Sequence, residues 1–204
     1  MNINLFLDTE TTGLSAANGD KIVEIAIVDQ NGKVIMDQLV NPEREIPFQA
    51  SNVHGITNNM VRNSPTLEEL WPKIKSIIEG NNVIIYNAAY DKGFFPNKLS
   101  NAKKITCAML EYKKFSGKKK GFNLTNASKE ANHNWTGNAH RALADTLATK
   151  SVWEYINNKP ARNNNYDNKI IITCYKCKQK LRVPSGRSGV IRCPKCKTRD
   201  EVKA

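Results

Sequence analysis

Carboxylates that could share a metal ion occur at three places in the chain. Asp8-Thr9-Glu10 sets two acids at i and i+2. On a strand such side chains project from one face. Two carboxylates held that close repel unless a cation lies between them. Hard oxygen donors of this kind suit Mg²⁺ or Mn²⁺. Asp91 closes Asn87-Ala88-Ala89-Tyr90-Asp91, directly after an apolar run. His140-Arg141-Ala142-Leu143-Ala144-Asp145 adds a histidine and another acid. Five residues of helix turn through about 500°, which leaves roughly 140° between the two side chains. His140 and Asp145 reach one site only if His140 stands in the first turn or the loop before it. Each motif alone also fits a bland role: a solvated strand end, a helix-dipole partner, or a surface histidine near an unrelated acid.

The second set is Cys174-x2-Cys177-x15-Cys193-x2-Cys196. Two C-x-x-C knuckles with a hairpin-length spacer supply four thiolates for tetrahedral Zn²⁺. The same residues fit an iron–sulfur site or redox dithiols less well. With no open fourth position the zinc is expected to be structural. Cys107 stands apart and reads as a small buried hydrophobe. His133 is given no role.

Charge separates the two sets. Residues 1–157 carry 18 Lys and Arg against 16 Asp and Glu, whereas residues 158–204 carry 13 against 3. That excess predicts a polyanionic partner, most simply nucleic acid, although a basic tail also serves solubility. The lysines of 113–120 either steer phosphates or form a solvated loop. No apolar run approaches the roughly 18 residues of a membrane span, and the N-terminus lacks the pattern of a signal peptide. A cytoplasmic location and no membrane partner are expected.

The elements that must position these residues follow from pattern. Strands are expected at 3–8, 22–29 and about 33–40, the last two joined at Asn31-Gly32. Thr11-Thr12-Gly13 reads as a turn after the first. A loop with short helical turns holds Val53-His54-Gly55-Ile56-Thr57. Thr66 and Glu69 form a capping box for a helix over about 67–79, closed by Gly80. A buried strand at 83–86 precedes helices at about 90–98 and 107–115, with a short strand at 104–106 between them. Helices at about 123–132 and 140–157 complete the body. Residues 158–168 are polar and asparagine-rich and read as a linker. Residues 169–204 alternate strand-like segments with the knuckles. About 36 residues cannot build a large core, so metal is expected to supply much of that unit's folding energy.

Taken in order, Asp8-x-Glu10, Asp91 and His140-x4-Asp145 resemble the DEDD superfamily of 3′–5′ exonucleases, in its histidine-containing branch. That branch includes the proofreading epsilon subunit of bacterial replicative polymerase and exonuclease X-like enzymes. The wording Asp8-Thr9-Glu10-Thr11-Thr12-Gly13-Leu14, Val53-His54-Gly55-Ile56-Thr57, Asn87-Ala88-Ala89-Tyr90-Asp91 and Thr106-Cys107-Ala108-Met109 carries the likeness over residues 1–157. Tyr86 departs from the histidine usual before Asn-Ala. The resemblance implies an α/β fold with a ribonuclease-H-like mixed five-stranded sheet flanked by helices, joined here to a small zinc-ribbon β domain. It implies that Asp8, Glu10, Asp91 and Asp145 hold two Mg²⁺ or Mn²⁺, that His140 is the base, and that Leu14, His54, Asn87 and Tyr90 surround the terminal nucleotide. The expected function is 3′–5′ hydrolysis of DNA at single-stranded or frayed ends, with nucleoside 5′-monophosphates as products. An RNA-trimming enzyme of the same superfamily, or a catalytically silent nucleic-acid-binding module, stays open. So does a polymerase or other protein partner, and whether the ribbon binds nucleic acid or protein.

Overall fold

The computed structural model describes residues 2–120, 122–135, 139–158, 169–184 and 189–202. The chain divides into two compact units, Met1–Ala161 and Arg162–Ala204. The linker expected at 158–168 lies outside the described residues except Asn158, which ends a helix. In the sequence, Pro184-Ser185-Gly186 and Ser188-Gly189 read as turns and Gly137-Asn138 as a helix entry; residues 136–138 and 185–188 lie outside the described residues.

The first unit is built on strands β1 (Asn4–Thr11), β2 (Ile22–Asp29), β3 (Val34–Leu39), β4 (Asn82–Ile85) and β5 (Lys104–Cys107). They lie in the order β3-β2-β1-β4-β5. β1 pairs antiparallel with β2 and parallel with β4, so the sheet is mixed, as expected. β1 is central and mostly buried. It runs on through Thr11, past the expected end at Asp8. Its extra residues stay paired with β2 through Thr11, across a register shift between Glu10 and Thr11.

Period-2 alternation divides β1 between two cores. Leu5 and Leu7 pack with Ile25, Ile27, Val83 and Ile85 against Leu70, Ile74 and Ile78. Those three are spaced i, i+4, i+8 on α3 (Leu67–Ile78), whose capping box of Thr66 and Glu69 is formed. Phe6 faces the other way and packs with Val28, Ile84 and Tyr86. That layer is covered by Tyr112 of α5 (Ala108–Ser116), Ala127 of α6 (Leu124–Glu130) and Val152 and Tyr155 of α7 (Ala142–Asn158). Asp8 and Glu10 continue the Phe6 side of the strand, toward α7.

Three expectations need correction. The helix expected at about 90–98 is a four-residue α-helix, Ala88–Asp91, followed by 3-10 turns at Lys92–Phe94 and Pro96–Leu99. Pro96 lacks the N–H a helix needs and holds Phe95 extended at φ −99, ψ 149. The lysine run is not wholly a loop. Lys113 and Lys114 sit in the last turn of α5, where cations favour the helix dipole, and Gly117 ends that helix at φ +63. The helix expected from His140 starts at Ala142. His140 itself lies in the left-handed region at φ +63 and cannot be helical.

The loop between β3 and α3 forms two short helices, which here become α1 (Phe48–His54) and α2 (Asn58–Val61). The segment after β4, Ala88–Asp91, is α4. Cys107 has a half-buried side chain whose Sγ donates to the Tyr86 carbonyl at 3.2 Å, in keeping with a packing role.

The second unit contains two hairpins. β6 (Lys169–Thr173) pairs antiparallel with β7 (Lys180–Pro184), and β8 (Gly189–Arg192) with β9 (Arg199–Val202). Each knuckle sits at the tip of its hairpin.

Candidate active site and metal centre

Three carboxylates converge. Asp8, Glu10 and Asp145 each offer an oxygen, and all three oxygens lie within 4.8 Å of one another. Two come from one face of β1. The third comes from the first turn of α7, which packs over that face.

Asp91 lies beside this trio but outside the mutual 4.8 Å group. Its Oδ1 accepts the Thr9 hydroxyl at 2.9 Å. Burial and the neighbouring acids raise every pKa in the cluster. Asp8 is driven well above the usual carboxylate range, first by burial and then by Asp91. Burial, followed by the charges of Asp145 and Glu24, pushes Glu10 to about 8. Burial lifts Asp91 to about 6 against the opposing Thr9 hydrogen bond. Asp145 is raised by burial, and the His140 N–H partly offsets it. Such a cluster is stable when ionised only if cations share it. The donors are all oxygen, which fits Mg²⁺ or Mn²⁺.

His140 is exposed, and its backbone N–H donates to Asp145 Oδ1 at 3.3 Å. It thus stands in the loop just before α7, the placement that the 140° argument requires.

Beside Glu10 opens a cleft of about 320 Å³ lined by Leu14, His54, Val53, Ala50 and Tyr90. That is the lower end of the ~300–1,000 Å³ typical of small-ligand sites. Leu14 is 85% exposed and free to meet a ligand. His54 is buried, and its Nδ1 accepts from the Ile56 N–H at 3.0 Å, so Nε2 carries the ring proton. Burial lowers its pKa and keeps it neutral. Tyr90 donates to the Gly13 carbonyl at 2.9 Å, so its ring walls the cleft while its hydroxyl ties the loop after β1. A Cβ at Gly13 would fall 2.4 Å from the Asp20 carboxylate, which would have to move away from its Ser15 N–H partner. Asn87 is exposed, precedes α4 and makes no side-chain cap. It does not line this cleft. Tyr86, the departure from the family pattern, turns away into the α5–α7 core. There it donates to the Phe122 carbonyl at 2.5 Å.

Sequence reading gave Val53 no role of its own, although it stands 55% exposed on α1. Val53 lines the cleft. Only the exposed face of α1 distinguishes it from a core residue. Glu24 and Arg141 were missed as a pair. The Arg141 guanidinium and the Ala142 N–H both donate to the Glu24 carboxylate, the latter at 2.8 Å.

In the second unit the four cysteine sulfurs lie within 4.8 Å of one another. The Cys174–Cys196 and Cys177–Cys193 distances are both 3.6 Å, too long for a disulfide. They suit the edges of a tetrahedron with metal–sulfur bonds of about 2.3 Å. The knuckles are built alike. Lys178 N–H donates to Cys174 O, and Lys197 N–H to Cys193 O, each at 2.9 Å.

Comparison with known proteins agrees with this geometry. The profile of an exonuclease family (RNase_T) matches residues 5–153. The chain belongs to that family and is a nuclease hydrolase of the DEDD 3′–5′ exonuclease class. An uncharacterized exonuclease of Escherichia phage 186 is 34% identical over 171 residues, covering 72% of this chain and 84% of that protein. The DNA polymerase III subunit epsilon of Rickettsia conorii is 34% identical over 111 residues. That match covers 52% of this chain and only 48% of the epsilon subunit. The structure of exonuclease X in complex with 5′-overhanging duplex DNA superposes with a TM-score of 0.62 at 29% identity. It covers 78% of this chain and 95% of that one. The ribonuclease-H-like fold is therefore established. Among the described residues no helix is long and apolar enough to cross a membrane.

Proposed function

We propose that the protein is a 3′–5′ exonuclease acting on single-stranded or frayed 3′ ends of DNA. It would release nucleoside 5′-monophosphates with two Mg²⁺ or Mn²⁺. The observation that carries this reading is the convergence of Asp8, Glu10 and Asp145 within 4.8 Å beside an apolar cleft. Asp8, Glu10 and Asp145, with Asp91 alongside Asp8, would hold the ions. Bound there, the ions activate water and neutralise charge on the phosphoryl group and the leaving oxygen.

The chain's own groups supply the rest. His140, exposed in the loop before α7, would take the proton from the attacking water, a role an imidazole suits near neutral pH. Leu14 offers an apolar surface to the terminal base without selecting its sequence. His54 contributes an N–H donor, and Tyr90 fixes the Gly13 loop against the sugar. Asn87 is exposed before α4 and would meet the strand from the far side of Asp91.

Division into an exonuclease domain (1–157), a linker (158–168) and a zinc-ribbon domain (169–204) goes with this reading. One Zn²⁺ on Cys174, Cys177, Cys193 and Cys196 would be structural. Lys176, Lys178, Lys195 and Lys197 are exposed on its knuckles beside Tyr175. They would tether the enzyme through phosphates. DNA is favoured because the exonuclease X structure holds DNA. The epsilon relatives make a polymerase partner a reasonable assignment.

The test is digestion of end-labelled DNA and RNA strands with Mg²⁺ or Mn²⁺, beside Asp8→Ala. DNA shortened from its 3′ end by wild type alone is the expected result. Preferential RNA trimming would move the enzyme to the exoribonucleases, and no digestion of either would leave a binding module.

A further inference from the structure

Glu24 is the third residue of Ile-Val-Glu-Ile-Ala-Ile-Val-Asp, an otherwise apolar buried strand. Its side chain is 3% exposed. A buried carboxylate is costly even when paired, and an apolar residue of similar size often stabilises a fold more. Stability is therefore a poor explanation for an acid here.

The contacts suggest another. Glu24 lies directly opposite Glu10 in the β1–β2 register, on the same face. Arg141 Nε donates to both Glu24 oxygens at 3.0 Å, and its terminal NH2 adds a further bond to Oε1. The second oxygen also caps the start of α7 through the Ala142 N–H. His140 immediately precedes this grip. Its left-handed backbone is unfavourable for a residue that has a Cβ. Such strain persists only where surrounding contacts over-determine it. Asp145 holds the N–H of His140 on one side, and Glu24 holds Arg141 and Ala142 on the other.

We infer that Glu24 and Arg141 form a clamp that fixes the conformation of the His140 loop and so aims the base at the carboxylate site. Glu24 is a positioning residue that acts through His140. This inference rests on the proposed role of His140.

The test is a kinetic cycle on full-length protein, with single-stranded DNA and Mg²⁺. Glu24→Gln keeps the shape but loses the charge that grips the guanidinium. It should lower kcat about 10- to 100-fold, the usual cost of losing a supporting partner. KM at saturating Mg²⁺ should stay within about threefold, the saturation being needed because the Glu24 charge also acts on Glu10 and Asp145. In a His140→Ala background the same change should cost almost nothing further. Arg141→Lys should show the same pattern more weakly, and it serves if Glu24→Gln does not fold. Fully multiplicative losses in the double variant, or an unaltered kcat in Glu24→Gln, would overturn the clamp while leaving the nuclease reading intact. A wild type that digests no strand would remove that reading and the clamp with it, whereas an unimpaired His140→Ala would remove His140 as the base, and so the clamp, while the enzyme remained a nuclease.

Discussion

The body and the ribbon gather like-charged ligands in opposite ways. In the body, Asp8, Glu10 and Asp145 are held by a sheet with apolar cores on both faces. The scaffold forces the carboxylates together, and their raised pKa values record the strain. In the ribbon, four thiolates sit between two small hairpins with little apolar burial. Val183, Cys174 and Cys193 are its buried apolar positions among the described residues. On the proposed reading, metal holds the fold there, whereas in the body the fold holds the metal. A cation should therefore be dispensable for structure in one region and indispensable in the other.

The most severe break in that contrast is Asp8→Asn. It should cut turnover by about 10³-fold or more, as loss of one member of a catalytic unit does. It should also raise the melting temperature of the metal-free body at pH 8, because one repelling charge is gone. A lowered melting temperature in EDTA would show that Asp8 is a structural support.

Next in size is Cys177→Ser, or treatment with a strong zinc chelator. Either should unfold the ribbon while the body keeps its melting transition and its digestion of short strands. Amide exchange resolved by segment would show this. Elemental analysis of untreated protein should find one zinc per chain, and none would contradict the tetrathiolate reading.

A more moderate effect concerns pH. Glu10 ordinarily titrates near 4.5 and is pushed to about 8 in the fold. Between those values the unfolded chain has lost a proton that the folded one keeps. Metal-free stability should therefore fall as pH rises through this window. Mn²⁺ binds the ionised form, so its stabilising shift should be larger at pH 8 than at pH 5.5. Melts showing equal shifts at both would mean the cluster does not carry the ion.

The smallest effect is far from either metal. Thr66→Ala removes the cap of α3 and should cost about 1 kcal/mol in denaturant unfolding without altering turnover. A change in ribbon exchange from this substitution would show that the two regions do not fold independently.

Much of the site could be read before any coordinates. The i, i+2 spacing of Asp8 and Glu10 is enough to put both on one side of a strand. The cysteine spacing likewise predicts one four-sulfur cluster. The angular argument for His140 correctly excluded it from the helix face that carries Asp145. The failures have local causes. The helix drawn over 90–98 ignored Pro96. The early end given to β1 mistook Thr11 for a turn residue, although its backbone is still paired with Ile22. Glu24 escaped notice because nothing in an apolar strand says which cation will meet a lone acid. Arg141 is 117 residues away in sequence.

Sequence alone determined which candidate ligands this protein carries and which chemistry they suit, because side-chain type and short spacing set donor hardness and local direction. Tertiary structure decided which of them meet. Asp145 reaches Asp8 and Glu10 because α7 packs across β1, and Asp91 takes a place beside that trio while bonded to Thr9. The left-handed turn at His140 is likewise set by contacts from a distant strand. Such outcomes depend on packing between segments far apart in the chain, where no local pattern carries the distance.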